Sequence, residues 1–114
     1  MKIVVEDVPP CTVVRIAGRL VAGAEATELR EEMRVLEEDG RDRFVVDLEA
    51  LDYIDSGGLG ELVAARQRAR EHGGTLVLAA PRGKVRDILA LTALDRHFAV
   101  FDDVPQALAS FAHP

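Results

Sequence analysis

The chain has 114 residues, a length that suits one domain. Its 14 basic residues stand against 20 acidic ones, a formal net charge of −6, and this excludes the dense cationic surface that sequence-independent nucleic-acid binding needs. Hydrophobic residues make up 48%, but aromatics only 4% with no Trp, so the core must be aliphatic.

Cys11 is the only cysteine, so no internal disulfide can form and nothing points to an oxidising compartment. The opening MKIVVEDVPP has a short apolar run interrupted by Glu6 and Asp7, unlike a signal peptide. No apolar run approaches the roughly 18 residues of a membrane span. The expectation is a soluble, cytoplasmic protein without membrane insertion.

In chain order, Lys2 to Glu6 reads as a strand ended by Asp7-Val8-Pro9-Pro10. Cys11 to Ala17 is rich in β-branched residues and reads as a second strand, closed by Gly18-Arg19-Leu20. The turn between them is short, which makes the pair antiparallel. Ala22, Ala26, Leu29, Met33 and Leu36 recur at helical spacing, and Asp39-Gly40 supplies a stop. Phe44 to Leu48 reads as a strand buried on both faces. Residues 49–55 read as a connection carrying Leu51, Tyr53 and Ile54. A second helix opens at Asp55-Ser56-Gly57-Gly58-Leu59-Gly60, with Leu59, Leu62, Val63 and Arg66 on one face, and ends at His72-Gly73-Gly74. Thr75 to Ala79 is another buried strand. Pro81 suits the first turn of a third helix, with Val85, Ile88, Leu89 and Thr92 inward. Phe98 to Phe101 is a short strand, and Val104, Ala107, Leu108 and Phe111 are the inner face of a last helix. Strands alternating with helices imply a single α/β domain over residues 1–114, with a mixed, mostly parallel sheet of about five strands and about four helices.

The stretch DSGGLG carries the chemistry. It holds one of only two serines, the other being Ser110. A nucleophile elbow would need glycine where Ile54 stands, and no His obviously serves Ser56. A dinucleotide fingerprint fails at Val63, where its third glycine belongs, and Gly83-Lys84 is followed by Val85 where a P-loop needs Ser or Thr. A plain reading remains: Ser56 caps the helix, contributing about 1 kcal/mol, and Gly57 and Gly58 allow a tight turn. Each glycine inside a helix costs about 1 kcal/mol relative to Ala, however. Three within four residues therefore suggest a surface kept small for a partner.

The sequence DYIDSGGLGELVAA resembles the signature of STAS-domain proteins, specifically the anti-sigma factor antagonists. Gly18-Arg19-Leu20, Val45-Val46-Asp47-Leu48, Gly73-Gly74-Thr75-Leu76 and Leu91-Thr92-Ala93-Leu94 resemble further family segments, so the likeness spans nearly the whole chain. It implies a non-enzymatic switch without cofactors. An anti-sigma factor that is itself a serine kinase would bind the unphosphorylated chain and release a sigma factor. Phosphorylation of Ser56 would block that binding, and a metal-dependent phosphatase of the PP2C type would reverse it. The implied contact residues are Asp55, Ser56, Gly57, Gly58, Leu59 and Gly60, together with Val21. Many family members carry Asp at the position of Val21, and here the nearest downstream acid is Glu25. The same resemblance allows a different role, a non-phosphorylated accessory subunit of an ABC-type lipid transport complex.

Other residues have simpler readings. Asp55 fixes a turn, and Asp47 is structural at a strand end. Cys11 is a core thiol. His72 complements a helix C-terminus, while His72, His97 and His113 lack metal-ligand spacing. Arg66, Arg68 and Arg70 form either a solvated face or a contact for an acidic partner.

Overall fold

The computed structural model describes residues 1–112, so His113 lies outside the described residues. The elements are β1 (Lys2–Val8), β2 (Cys11–Leu20), α1 (Ala24–Glu38), β3 (Arg43–Asp47), β4 (Leu51–Ile54), α2 (Ser56–Glu71), β5 (Thr75–Ala79), α3 (Gly83–Leu91), a 3-10 turn at Leu94–Arg96, β6 (Val100–Phe101) and α4 (Val104–Ser110). The sheet runs β1-β2-β3-β5-β6, and β4 pairs with the far end of β2. Only the β1–β2 hairpin is antiparallel; β2–β3, β2–β4, β3–β5 and β5–β6 are parallel.

Alternation along the central strands builds two cores. Val14 and Ile16 of β2, Phe44 and Val46 of β3, and Leu76 and Leu78 of β5 face one side, where α1, α2 and α3 bring Leu29, Met33, Leu62, Val85 and Leu89. Val13, Val45, Val77 and Ala79 face the other, where α4 supplies Ala107. This two-sided burial is why these strands read as continuous apolar runs.

The sixth strand, β4, corrects the reading of residues 49–55 as a connection. Leu51 and Ile54 are buried while Asp52 is exposed, and β4 continues alongside β2 after a register shift between Gly18 and Arg19. Thus Gly18-Arg19-Leu20 extends β2 rather than closing it. Ala22 is exposed and precedes α1, whose buried residues are Ala26, Leu29 and Met33. Val63 and Thr92 also face outward: α2 buries Leu59, Leu62, Ala65 and Ala69 instead, and the Thr92 hydroxyl donates to the Ile88 carbonyl at 2.7 Å. Pro81 stands outside α3, before its cap Arg82. β6 covers two residues of the expected four. α4 keeps Ala107 buried, with Val104, Leu108 and Phe111 half-buried.

Candidate partner-binding site

Two chain segments meet at the start of α2. β4 delivers Asp55 to the end of β2, where its amide donates to the Leu20 carbonyl at 3.3 Å. The Asp55 carboxylate accepts the Ala22 amide at 2.9 and 3.0 Å and the Gly58 amide at 2.9 Å. One side chain therefore caps α2 and ties down the loop leading into α1. The amide of Ala22, and then that of Gly58, holds the Asp55 carboxyl below the ordinary aspartate range, because hydrogen bonds to the charged form favour it.

Asp55, not Ser56, is the N-cap of α2. The expectation that Ser56 caps this helix is overturned, and the reason is position: Ser56 is already the first helical residue. Its side chain is exposed, and among the described residues its hydroxyl joins no hydrogen bond. Ser110, in contrast, donates to the Ala107 carbonyl at 2.6 Å.

The three glycines divide. A Cβ on Gly57 would stand 2.5 Å from the Ala22 methyl and 2.9 Å from its Cα. A Cβ on Gly58 would overlap the Leu20 carbonyl oxygen and approach Leu20 Cγ to 2.8 Å and Ile54 Cγ1 to 2.9 Å. Both glycines exist so that α2 can pack on the β2–α1 loop. That corrects the view that all three keep the surface small for a partner. Gly60 differs: a Cβ there meets nothing within 4 Å. It is exposed four residues after Ser56, on the same helical face. The fold gives no reason for that glycine.

Val21, half-buried, lies on the tethered loop, and its carbonyl accepts the Ala26 amide at 3.0 Å. Leu59 is buried beneath the helix and belongs to the core rather than to the surface. Ala22 joins the site through its backbone amide and is a residue that sequence reasoning missed. A backbone donor leaves no side-chain signature. Ala22, Gly23 and Ala24 on the tethered loop and Gly60 and Val63 on α2 are all exposed. Ion pairs tie α1 to α2, Arg30–Glu61 at 2.7 Å in the first half of α2 and Arg68–Glu37 at 2.9 Å in its last turn.

The remaining candidates are structural. Asp47 is 8% exposed; it accepts the Glu49 amide at 3.1 Å and pairs with Arg15 at 3.3 Å. Cys11 is buried, which raises its thiol pKa. The His72 ring nitrogen meets the Arg68 carbonyl at 2.8 Å at the end of α2. The arginine run is only partly solvated, since Arg66 lies 5.9 Å from the Phe98 ring centre and Arg68 is paired. Among the described residues, no group of three His, Cys, Asp or Glu is gathered for a metal ion, and no helix is long and apolar enough to cross a membrane.

Known proteins share this fold. The chain is 29% identical over 111 residues to the candidate anti-sigma factor antagonist BtrV of Bordetella bronchiseptica, covering 97% of this chain and 95% of that one. The crystal structure of an anti-sigma factor antagonist from Mycobacterium paratuberculosis superposes with a TM-score of 0.82 at 27% identity, over 96% of this chain and 92% of the other. The phosphorylated form of the Bacillus cell-fate determinant SpoIIAA shares the fold, with a TM-score of 0.75 at 18% identity over 96% of this chain and 99% of the other. The STAS domain model matches residues 2–107, and the chain belongs to the STAS-domain family.

Proposed function

We propose that this chain is an anti-sigma factor antagonist whose partner binding is switched by phosphorylation of Ser56. The observation that carries the reading is the position of Ser56: an exposed, uncommitted hydroxyl at the first residue of α2, with the capping done by its neighbour. A cap serine would have its oxygen engaged; this one is presented. The outward Gly60 beside it leaves room for a partner's backbone. The antagonists that the chain resembles support that role, and SpoIIAA, which shares the fold, exists in a phosphorylated form.

The chemistry is a phosphoryl transfer. A partner serine kinase moves the γ-phosphoryl group of ATP to Ser56 Oγ; the hydroxyl proton leaves with the kinase or water, and ADP is released. A PP2C-type phosphatase hydrolyses the ester. The phosphoserine adds about −1.5 to −2 charge. At a helix N-terminus, backbone N–H groups and the dipole favour an anion, so the fold survives. The interface does not, because the new charge stands beside the Asp55 carboxylate on a surface that a partner must desolvate. The chain acts as an interaction protein and not as an enzyme.

Paired baits, wild type and Ser56→Asp, exposed to native lysate with ADP, test this. A serine kinase held by wild type and lost from Ser56→Asp supports it. Both baits holding the same transport ATPase or permease would replace it with the transport-subunit role.

A further inference from the structure

We propose that β1 is a self-pairing edge, through which two copies of this chain join their sheets across a two-fold axis at Val4. The main strand path of the sheet ends at β1 and at β6. β6 offers two residues, whereas β1 offers seven, paired in unbroken register with β2 along one side only. An edge strand presents unpaired N–H and C=O groups along its open side. Nature blunts such edges with a proline, a bulge or charges. Pro9 and Pro10 lie beyond β1 in the turn, and its pairing with β2 has no bulge.

The charges are arranged for pairing rather than against it. A two-fold perpendicular to the sheet keeps each face on its own side, so only residues of like alternation can stand opposite one another. With the axis at Val4, Lys2 of one copy faces Glu6 of the other, twice. Ile3 then faces Val5, and Val4 faces itself. Moving the axis by one residue either way sets a charge against an apolar side chain: Lys2 against Val4, or Glu6 against Val4. Over Lys2 to Glu6 only the Val4 axis matches charge with charge and apolar with apolar; Asp7 then falls opposite Met1, outside β1.

The surroundings fit the same occupant. Val4 is 44% exposed, among the most exposed large apolar side chains. It borders an open groove lined by Lys2, Arg15, Ala17 and Asp47, on the face where α4 packs chiefly over β3, β5 and β6. Arg15 already pairs with Glu6, so an incoming Lys2 would complete a charge cluster across the seam. The pairing uses neither Ser56 nor its partner and stands apart from the proposed switch.

Sedimentation equilibrium of the full chain, with circular dichroism to check folding, tests the proposal. Wild type is expected to dimerise as concentration rises. Lys2→Glu or Glu6→Lys alone turns two attractive pairs repulsive and weakens the dimer about tenfold or more. The double exchange Lys2→Glu with Glu6→Lys restores it to within about threefold. A wild type that stays monomeric to about 1 mM, a dimer indifferent to Lys2→Glu, or a folded double exchange that fails to recover overturns it. Should Glu6→Lys not fold beside Arg15, Lys2→Glu and amide exchange decide: the β1 amides facing away from β2 should gain protection with concentration, and unchanged exchange overturns the pairing.

Discussion

Replacing the three glycines of DSGGLG by alanine, one at a time, separates packing from function. Gly60→Ala places a methyl in open space and gains the helix propensity of Ala, about 1 kcal/mol. For a chain of this size that raises Tm by about 3–6 °C. Gly57→Ala gains the same propensity but drives its methyl against Ala22 at 2.5 Å. Overpacking of this kind costs about 1–3 kcal/mol, so the net is a loss of about 1 kcal/mol. Gly58→Ala meets a backbone carbonyl and two core side chains, and a net loss of about 2 kcal/mol or more is expected. Thermal denaturation gives the order: Gly60→Ala above wild type, Gly57→Ala below, Gly58→Ala lowest. Affinity for the captured kinase should fall for Gly60→Ala despite its greater stability, since an added methyl then stands in the contact. A Gly60→Ala protein that is less stable than wild type refutes the packing argument. One that is more stable and binds equally well refutes the functional reading of Gly60.

Four further outcomes follow from the geometry. Ser56→Ala and Ser56→Asp should both keep stability within about 0.5 kcal/mol of wild type, which chemical denaturation checks; a much larger loss in Ser56→Ala would mean the hydroxyl is structural after all. Asp55 has a lowered pKa, so its stabilisation is complete above the ordinary aspartate value of about 4 and is lost as pH falls through its lowered value. The Tm gap between wild type and Asp55→Asn should therefore be flat at neutral pH and close in acid; a gap that widens in acid contradicts the sign. Val21→Asp, which puts an acid on the loop tethered by Asp55, should raise the rate of Ser56 phosphorylation by the partner kinase, and an unchanged rate removes Val21 from the site. Leu62→Ala, fully buried under α2, should cost about 2–5 kcal/mol; a cost below about 1 kcal/mol would contradict the packing of α2 on the sheet.

Much of the architecture was legible in the pattern of residues. The antiparallel hairpin followed from the short turn at Pro9-Pro10, and the buried strands followed from runs such as Phe44-Val45-Val46, apolar because both sheet faces are covered. β4 was not legible, because four residues with half-exposed Tyr53 among them carry too little alternation to separate a strand from a loop. Alanine misled the reading of helix faces. By spacing Ala22 belongs to the inner face of α1, yet it faces solvent, while on α2 Ala65 and Ala69 are buried and Val63 is exposed; a methyl group is indifferent enough to water to sit on either side. At the site, the motif marked the place but not its mechanics. Asp and Ser are comparable caps, and only the position of the first helical turn assigns the role to Asp55. The purpose of Gly57 and Gly58 lies in contacts with Leu20 and Ala22, far away in sequence and close only after folding.

The central claim is that Ser56 is the switch. Its most direct test is to incubate the chain with the captured kinase and ATP, map the phosphate by peptide mass spectrometry, and compare the kinase affinity of the product with that of the unmodified chain. The account predicts one phosphate, on Ser56 and not on Ser110, and a product that no longer binds. A phosphate elsewhere, none at all, or a phosphorylated Ser56 that binds as tightly as before would contradict it.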